Sequence, residues 1–326
     1  MSVKLSELTC PISDMETLSF GAEQYFALRG AADEAEFLTR EIRKACCYER
    51  HPLRPLAEGA VVVDVGANIG VFSLHCARDL GLQRLNLVAI EPIHEIYDVL
   101  AANLAPDRLP VGARVRLLRT AVGYRRMTDA FLYYPEMPGE STRYGEERSD
   151  QRKRLTLAAE KTASAIAERR SRADGRSKRR RCDESEFALP VECEAVLTDF
   201  LQCMRNDGAR ETSLLRRCPV TTISDIMVSE GLEKIDLLKI DVEGDELEVL
   251  RGIGAADWPK ISQLAIEVHD VDGRLHATVQ LLKDLGFAVR AELQTASVDG
   301  DGFFVFTPAE LGLYLVYATR GCGAAA

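Results

Sequence analysis

Apolar residues follow two periods along this chain. Residues 60–65 (AVVVDV) are a β-branched apolar run broken only by Asp64, the pattern of a strand buried on both faces. Gly66 to Gly70 make a tight glycine-bearing turn. Residues 71–80 then switch to helical spacing and end at Gly81. The alternation repeats, with a strand over 86–90 that ends in Glu91-Pro92, a helix over 94–104 stopped near Pro106, and a strand over 114–120. Residues 130–134 read as an extra strand. Regular structure is expected to return at Val191. It continues with a helix over 225–230, a strand over 234–241 (KIDLLKID), a helix beginning at 246–250 and a strand over 263–268 ending at His269. A helix over 275–285, stopped by Gly286, precedes two closing strands over 287–292 and 303–307. Strand and helix in alternation predict a doubly wound α/β domain, a mostly parallel sheet covered on both faces. Ligands of such sheets sit beyond the carboxyl ends of the strands.

The ends and middle read differently. Residues 1–55 form a polar lead-in with helical spacing at Phe37, Leu38, Ile42 and Cys46. Residues 56–310 read as the main domain and 311–326 as a C-terminal tail. Within the domain lies a basic insertion at about 143–190. Residues 143–181 hold 14 Lys or Arg against 6 Asp or Glu, ending in Ser177-Lys178-Arg179-Arg180-Arg181, and 155–166 is Ala-rich enough for a helix. That stretch reads as a solvated insertion, a docking arm for an acidic protein partner, or a nuclear-localisation-like patch.

Composition narrows the class. A net charge of -10 makes a nucleic-acid backbone an unlikely ligand for the whole surface. No apolar run approaches the ~20 residues of a membrane helix. The start, Met-Ser-Val-Lys-Leu-Ser-Glu, lacks the apolar stretch of a signal peptide. Nine cysteines with no CxxC pair fit buried thiols in a reducing compartment, hence a cytoplasmic expectation.

The first turn carries the candidate chemistry. Asp64 lies one residue before the end of a buried strand, where an unpaired carboxylate costs several kcal/mol, so donors from the backbone or a ligand are expected. Gly66 allows the sharp turn, Asn68 tolerates unusual φ and ψ, and Gly70 lets the helix pack closely. Glu91 ends the second strand, about 20 residues on, where nucleotide-binding folds place a carboxylate on ribose hydroxyls. The turn Gly66-Ala67-Asn68-Ile69-Gly70 lacks the second glycine that admits a pyrophosphate. An acidic loop suits S-adenosylmethionine (SAM), which has a sulfonium and an ammonium group but no phosphate.

At this point the sequence resembles the FkbM family of SAM-dependent methyltransferases. The matching segments are 62–73 (VVDVGANIGVFS), 89–104 (AIEPIHEIYDVLAANL), 235–252 (IDLLKIDVEGDELEVLRG) and 266–275 (IEVHDVDGRL), with Leu-Gly-Phe at 285–287 and YYPEMPGEST at 133–142. The resemblance spans roughly 34–307 and breaks at the basic insertion. It implies a Rossmann-like, seven-stranded sheet with the last strand antiparallel. It also implies SAM as cofactor and O-methylation of a hydroxyl on a small molecule, polyketide-like or another secondary metabolite, with sugars, glycans or proteins as other acceptors. By resemblance, Asp64, Gly66, Asn68 and Gly70, with Ala67, line the methionine part of SAM. Glu91, with Pro92, holds the ribose, and a residue near Ala121 flanks the adenine.

Methyl transfer to an alcohol needs an in-line acceptor and removal of its proton. Alternation puts Lys239 and Asp241 on one strand face, and Glu243 follows on the loop. His269, whose ordinary pKa of ~6.5 suits a base, ends the next strand. Asp241, Glu243 and His269 are the catalytic candidates; Glu243 also suits the start of the following helix. The same three with Asp270 offer oxygen and nitrogen donors for Mg²⁺, but the spacing is that of no recognisable metal loop, so no metal is expected. A catalytically silent SAM-fold scaffold with the basic segment as docking arm is the rival reading.

Overall fold

Alternation along the central strands sorts the core into two layers. The computed structural model describes residues 14–21, 23–44, 46–147, 149–150, 153, 213–294, 297–298, 304–305 and 312–320. They fall into two compact units. The first holds residues 1–145, 213–293 and 313–326, and the second holds 146–212 and 294–312.

In the first unit, β1 (Met15–Phe20) and β2 (Glu23–Leu28) form an antiparallel hairpin, followed by α1 (Ala32–Thr39) and a π-helical turn, Arg40–Lys44. Then come β3 (Ala60–Val65), α2 (Val71–Arg78), β4 (Leu85–Ile90), α3 (His94–Asn103), β5 (Ala113–Leu118), β6 (Ala121–Val122) and β7 (Met127–Tyr133). After the insertion follow β8 (Leu214–Thr221), α4 (Ile223–Ser229), β9 (Leu237–Ile240), α5 (Glu246–Arg251), β10 (Gln263–His269), α6 (Arg274–Asp284) and β11 (Phe287–Leu293). The second unit contributes the short pair β12 (Ser297–Val298) and β13 (Phe304–Val305), and β14 (Leu313–Arg320) returns to the first.

Seven strands form the central sheet in the order β11-β14-β10-β9-β3-β4-β5. Strands β10, β9, β3, β4 and β5 run parallel, and β14 lies antiparallel between β10 and β11. The expected doubly wound sheet with an antiparallel last strand is therefore present. Val62, Leu87, Leu237, Ala265 and Tyr317 face one layer with α2 and α3. Val63, Val88, Leu238, Ile266 and Val316 face the other, with α4, α5 and α6. A separate sheet, β6-β8-β7, lies at the chain's exit to the insertion and its return.

Three expectations change. The lead-in is a hairpin before it is a helix, because Leu18, Tyr25 and Ala27 share one hairpin face and pack in the first core layer. The "tail" is β14; its central five residues, Leu315 to Thr319, are buried because it is an interior strand. The pairing of 304–305 is a two-residue bridge with 297–298, so the run over 303–307 is not the closing strand. The expectations for 155–166 and for a return of structure at Val191 lie outside the described residues.

Candidate active site

Strand register brings the site together. Val65, Ile90 and Leu118 are aligned at the carboxyl ends of β3, β4 and β5; Val65 also pairs with Ile240, and Ile240 with Ile266. The next residues of each strand therefore meet at one end of the sheet. Alternation decides which face they take. Ile240, Ile266 and Val268 belong to one core layer, so Lys239, Asp241, Glu267 and His269 face the other, together with Asp64.

The cofactor-loop candidates form a closed turn. Gly66 N and Ala67 N donate to Ile90 O at 3.0 and 2.9 Å. Gly66 has φ +73°, and a Cβ there would lie 1.7 Å from Asp241 O. Gly70 has φ +93°, and a Cβ there would lie 2.7 Å from Leu100 Cδ1 of α3. Asn68 takes the left-handed region at φ 49°. Its amide donates to Glu91 Oε2 at 3.2 Å, and Ile93 N donates to Glu91 Oε1 at 2.9 Å. Glu91 thus ties the turn to the end of β4, with Pro92 between it and Ile93. Burial pushes the Glu91 carboxyl up to about 7, against the lowering effect of its two backbone donors and Lys239. Ala121 is buried in β6, just past the end of β5.

Asp64 finds its donors inside the protein. Ser73 Oγ donates to Oδ2 at 2.7 Å, and Lys239 Nζ lies 3.3 Å from Oδ1. Lys239, 2 % exposed, also donates to Gly66 O at 2.8 Å and stands 3.4 Å from Asp241 Oδ2. One buried ammonium therefore holds the first strand's acid, the turn's carbonyl and the acid of β9, and these partners keep it charged despite burial.

The part of the site at the ends of β9 and β10 is acidic. Asp241 Oδ2 accepts from Tyr48 Oη at 3.0 Å, across 193 residues. Tyr48 packs edge-on against Phe72, and Lys239 Nζ lies 5.4 Å from its ring centre. Glu243 is a non-glycine residue at φ 53°, and its carbonyl accepts from Thr142 Oγ1 at 2.7 Å. Its Oε2 lies 3.3 Å from His269 Nε2. His269 Nδ1 faces Glu246 Oε1 at 3.4 Å. Burial works against an imidazolium, but Glu243 and Glu246 outweigh it and push the His269 pKa well up. Burial, then Asp241 and Glu41, push the Glu267 carboxyl well up. The π-helical turn supplies Glu41, whose carboxyl is raised to about 7 by burial and then by Asp241.

Glu243 and His269 thus stand together, and Asp241 lies on the same sheet face at the end of the neighbouring strand β9. Asp270 does not join them: it is exposed and accepts from Leu275 N at 3.1 Å, beside α6. Residues 133–142 close over the turn, since Gly139 N donates to Glu34 Oε1 at 2.7 Å and a Cβ on Gly139 would lie 3.1 Å from Asn68 Nδ2. Arg143 and Tyr144, assigned by sequence to the insertion, belong to this unit: Arg143 pairs with Asp129 and Asp245, and Tyr144 Oη donates to Asp245 Oδ1 at 2.8 Å. Sequence reasoning missed Tyr48, Glu41 and Glu34, which reach the site from a segment with no motif of its own.

Comparison with known proteins places the chain in a family. The Methyltransferase FkbM domain matches residues 64–289. The chain is 35% identical over 263 residues to the 31-O-demethyl-FK506 methyltransferase FkbM of Streptomyces tacrolimicus, covering 80% of this chain and 85% of that protein. It is 31% identical over 257 residues to the methyltransferase sdnD of Sordaria araneosa, covering 78% and 83% respectively. Methyltransferase 1 of Beauveria bassiana is 25% identical over 295 residues, 90% of this chain and 94% of that protein. With its strand-end turn, its Glu91 tether and its KIDVEGDE segment in the matched region, the chain belongs to the FkbM family of methyltransferases.

Proposed function

We propose that this methyltransferase uses SAM to methylate a hydroxyl oxygen of a small molecule. The observation that carries the reading is the juxtaposition, at one end of the sheet, of the Gly66–Gly70 turn and Glu91 with Asp241, Glu243 and His269.

The residues fit SAM. Gly66 admits no side chain against Asp241 O, so the turn keeps bare backbone beside the strand end. Glu91 keeps unused lone pairs on both oxygens after one backbone donor each, which suits two ribose hydroxyls. Asp64 shapes the turn through Ser73 and Lys239, and Ala67, Asn68 and Gly70 line it, with Pro92 beside the ribose and Ala121 toward the base. SAM, when bound, supplies an electrophilic methyl group on a sulfonium. The chain's part is to hold the acceptor in line and take its proton. Lys239 and Tyr48 fix Asp241, which accepts the hydroxyl proton, while Glu243 and His269 fix where the acceptor oxygen sits. The relative from Streptomyces tacrolimicus bears a name that makes 31-O-demethyl-FK506 its substrate, an O-demethyl compound. This supports an oxygen acceptor here.

The test is transfer of an isotope-labelled methyl group from SAM into a host metabolite extract, read by mass spectrometry. A labelled product that loses its label on ether cleavage is expected. Label found only on nitrogen or carbon would overturn the oxygen assignment, and none at all would overturn the reading.

A further inference from the structure

One arrangement at the acceptor side exceeds what proton transfer needs. One donor atom each from Glu243, Glu267 and His269 lies within 4.8 Å of the others. The pair His269 Nε2 to Glu243 Oε2, at 3.3 Å, is close to the ~3 Å edge between adjacent ligands of an octahedral ion with bonds of about 2.1 Å. The imidazole makes this more than a group of acids. His269 is 7 % exposed, and its Nδ1 closes no hydrogen bond. It is turned instead toward Glu246, which is fully buried and has no hydrogen bond on Oε2. A carboxylate behind one ring nitrogen, with the other nitrogen facing a second carboxylate, is the arrangement that orients a ligating histidine. The described cations beside these groups have other partners: Lys239 pairs with both Asp64 and Asp241, and Arg274 donates to His269 O at 3.2 Å and lies over the Tyr144 ring.

We infer that Glu243, Glu267 and His269 bind a divalent first-row cation, with Glu246 positioning His269 through Nδ1. One imidazole nitrogen beside two carboxylate oxygens suits a first-row transition ion better than Mg²⁺ or Ca²⁺, and paramagnetic Mn²⁺ serves as its probe. Glu243 and Glu267 are only partly buried, which leaves a path for the ion and open positions for oxygen ligands. The inference rests on the oxygen-acceptor reading and deepens it, since Glu243 and His269 then fix the acceptor oxygen through the cation.

Chelator-treated full-length protein is titrated with Mn²⁺ and free Mn²⁺ is read by electron paramagnetic resonance. SAM binding is measured separately by calorimetry. One saturable Mn²⁺ site per chain is expected, weakened by more than about tenfold in Glu243→Gln and in Glu267→Gln. Glu267→Asp, which keeps the charge and withdraws it by one methylene, weakens it as well. Circular dichroism checks the fold of each variant. Glu49→Gln is the control, because Cys46, Glu49 and His75 form another group of donor atoms, and it leaves Mn²⁺ binding unchanged. No saturable site, or a site lost in Glu49→Gln but kept in Glu243→Gln and Glu267→Gln, overturns the inference. Normal SAM binding without Mn²⁺ binding removes the cation alone; absent SAM binding removes the functional reading itself.

Discussion

Gly66 is the residue at which strand, turn and site constrain one another most tightly. A methyl group there would collide with Asp241 O and sit at φ +73°. Gly66→Ala is therefore expected to lower stability by several kcal/mol, about 3 or more, seen as a large drop in melting temperature. Glu91 carries the pH dependence. Burial pushes its carboxyl up to about 7, and in the proposed SAM complex ribose hydroxyls would donate to the ionised form. SAM affinity is therefore expected to be full above pH 7 and to weaken by up to about tenfold per unit below it, as the carboxylate protonates. Calorimetric titration across pH 5.5 to 8.5 checks this, and Glu91→Gln should flatten the profile. Tyr48→Phe removes one hydrogen bond to Asp241. It should lower kcat by about tenfold, in line with 1–1.5 kcal/mol, with SAM affinity little changed. Asp64, the glycines and Glu91 were legible in the sequence because a tight turn and a strand-end acid have local signatures. Tyr48 and Glu41 were not, because their contacts with Asp241 are long-range and nothing around them forms a motif.

At the level of elements, phase explains most of the outcome. The apolar runs of β3, β9 and β10 are strands buried on both faces, and their alternation alone sends Lys239, Asp241, Glu267 and His269 to a common side. The N-terminal hairpin was hidden because its buried positions, such as Tyr25 and Leu28, lie among polar residues that also suit a helix. The edge of the insertion was misread for a different reason. Charge made Arg143 look solvated, whereas its side chain is half-buried and pairs with both Asp129 and Asp245. Arg143→Ala leaves Asp245 with Tyr144 alone. It should cost about 3 kcal/mol and lower the melting temperature by several degrees in thermal unfolding.

At the scale of the whole chain, a seven-stranded sheet with one antiparallel strand gathers groups from residue 41 to residue 269 at a single end. The topology was readable because strand and helix patterns alternate in order. The place of β14 was not, because only its neighbours in space, β10 and β11, make it an interior strand. Among the described residues no helix is long and apolar enough to cross a membrane. The central claim is that the Gly66–Gly70 turn and Glu91 hold SAM at this end of the sheet. Calorimetric titration of wild-type and Glu91→Gln protein with SAM at pH 8 tests it most directly. One SAM per chain in the wild type, weakened by about tenfold or more when the charged acceptor is lost, is the predicted result. Equal affinity in the two proteins, or no binding in either, would contradict it.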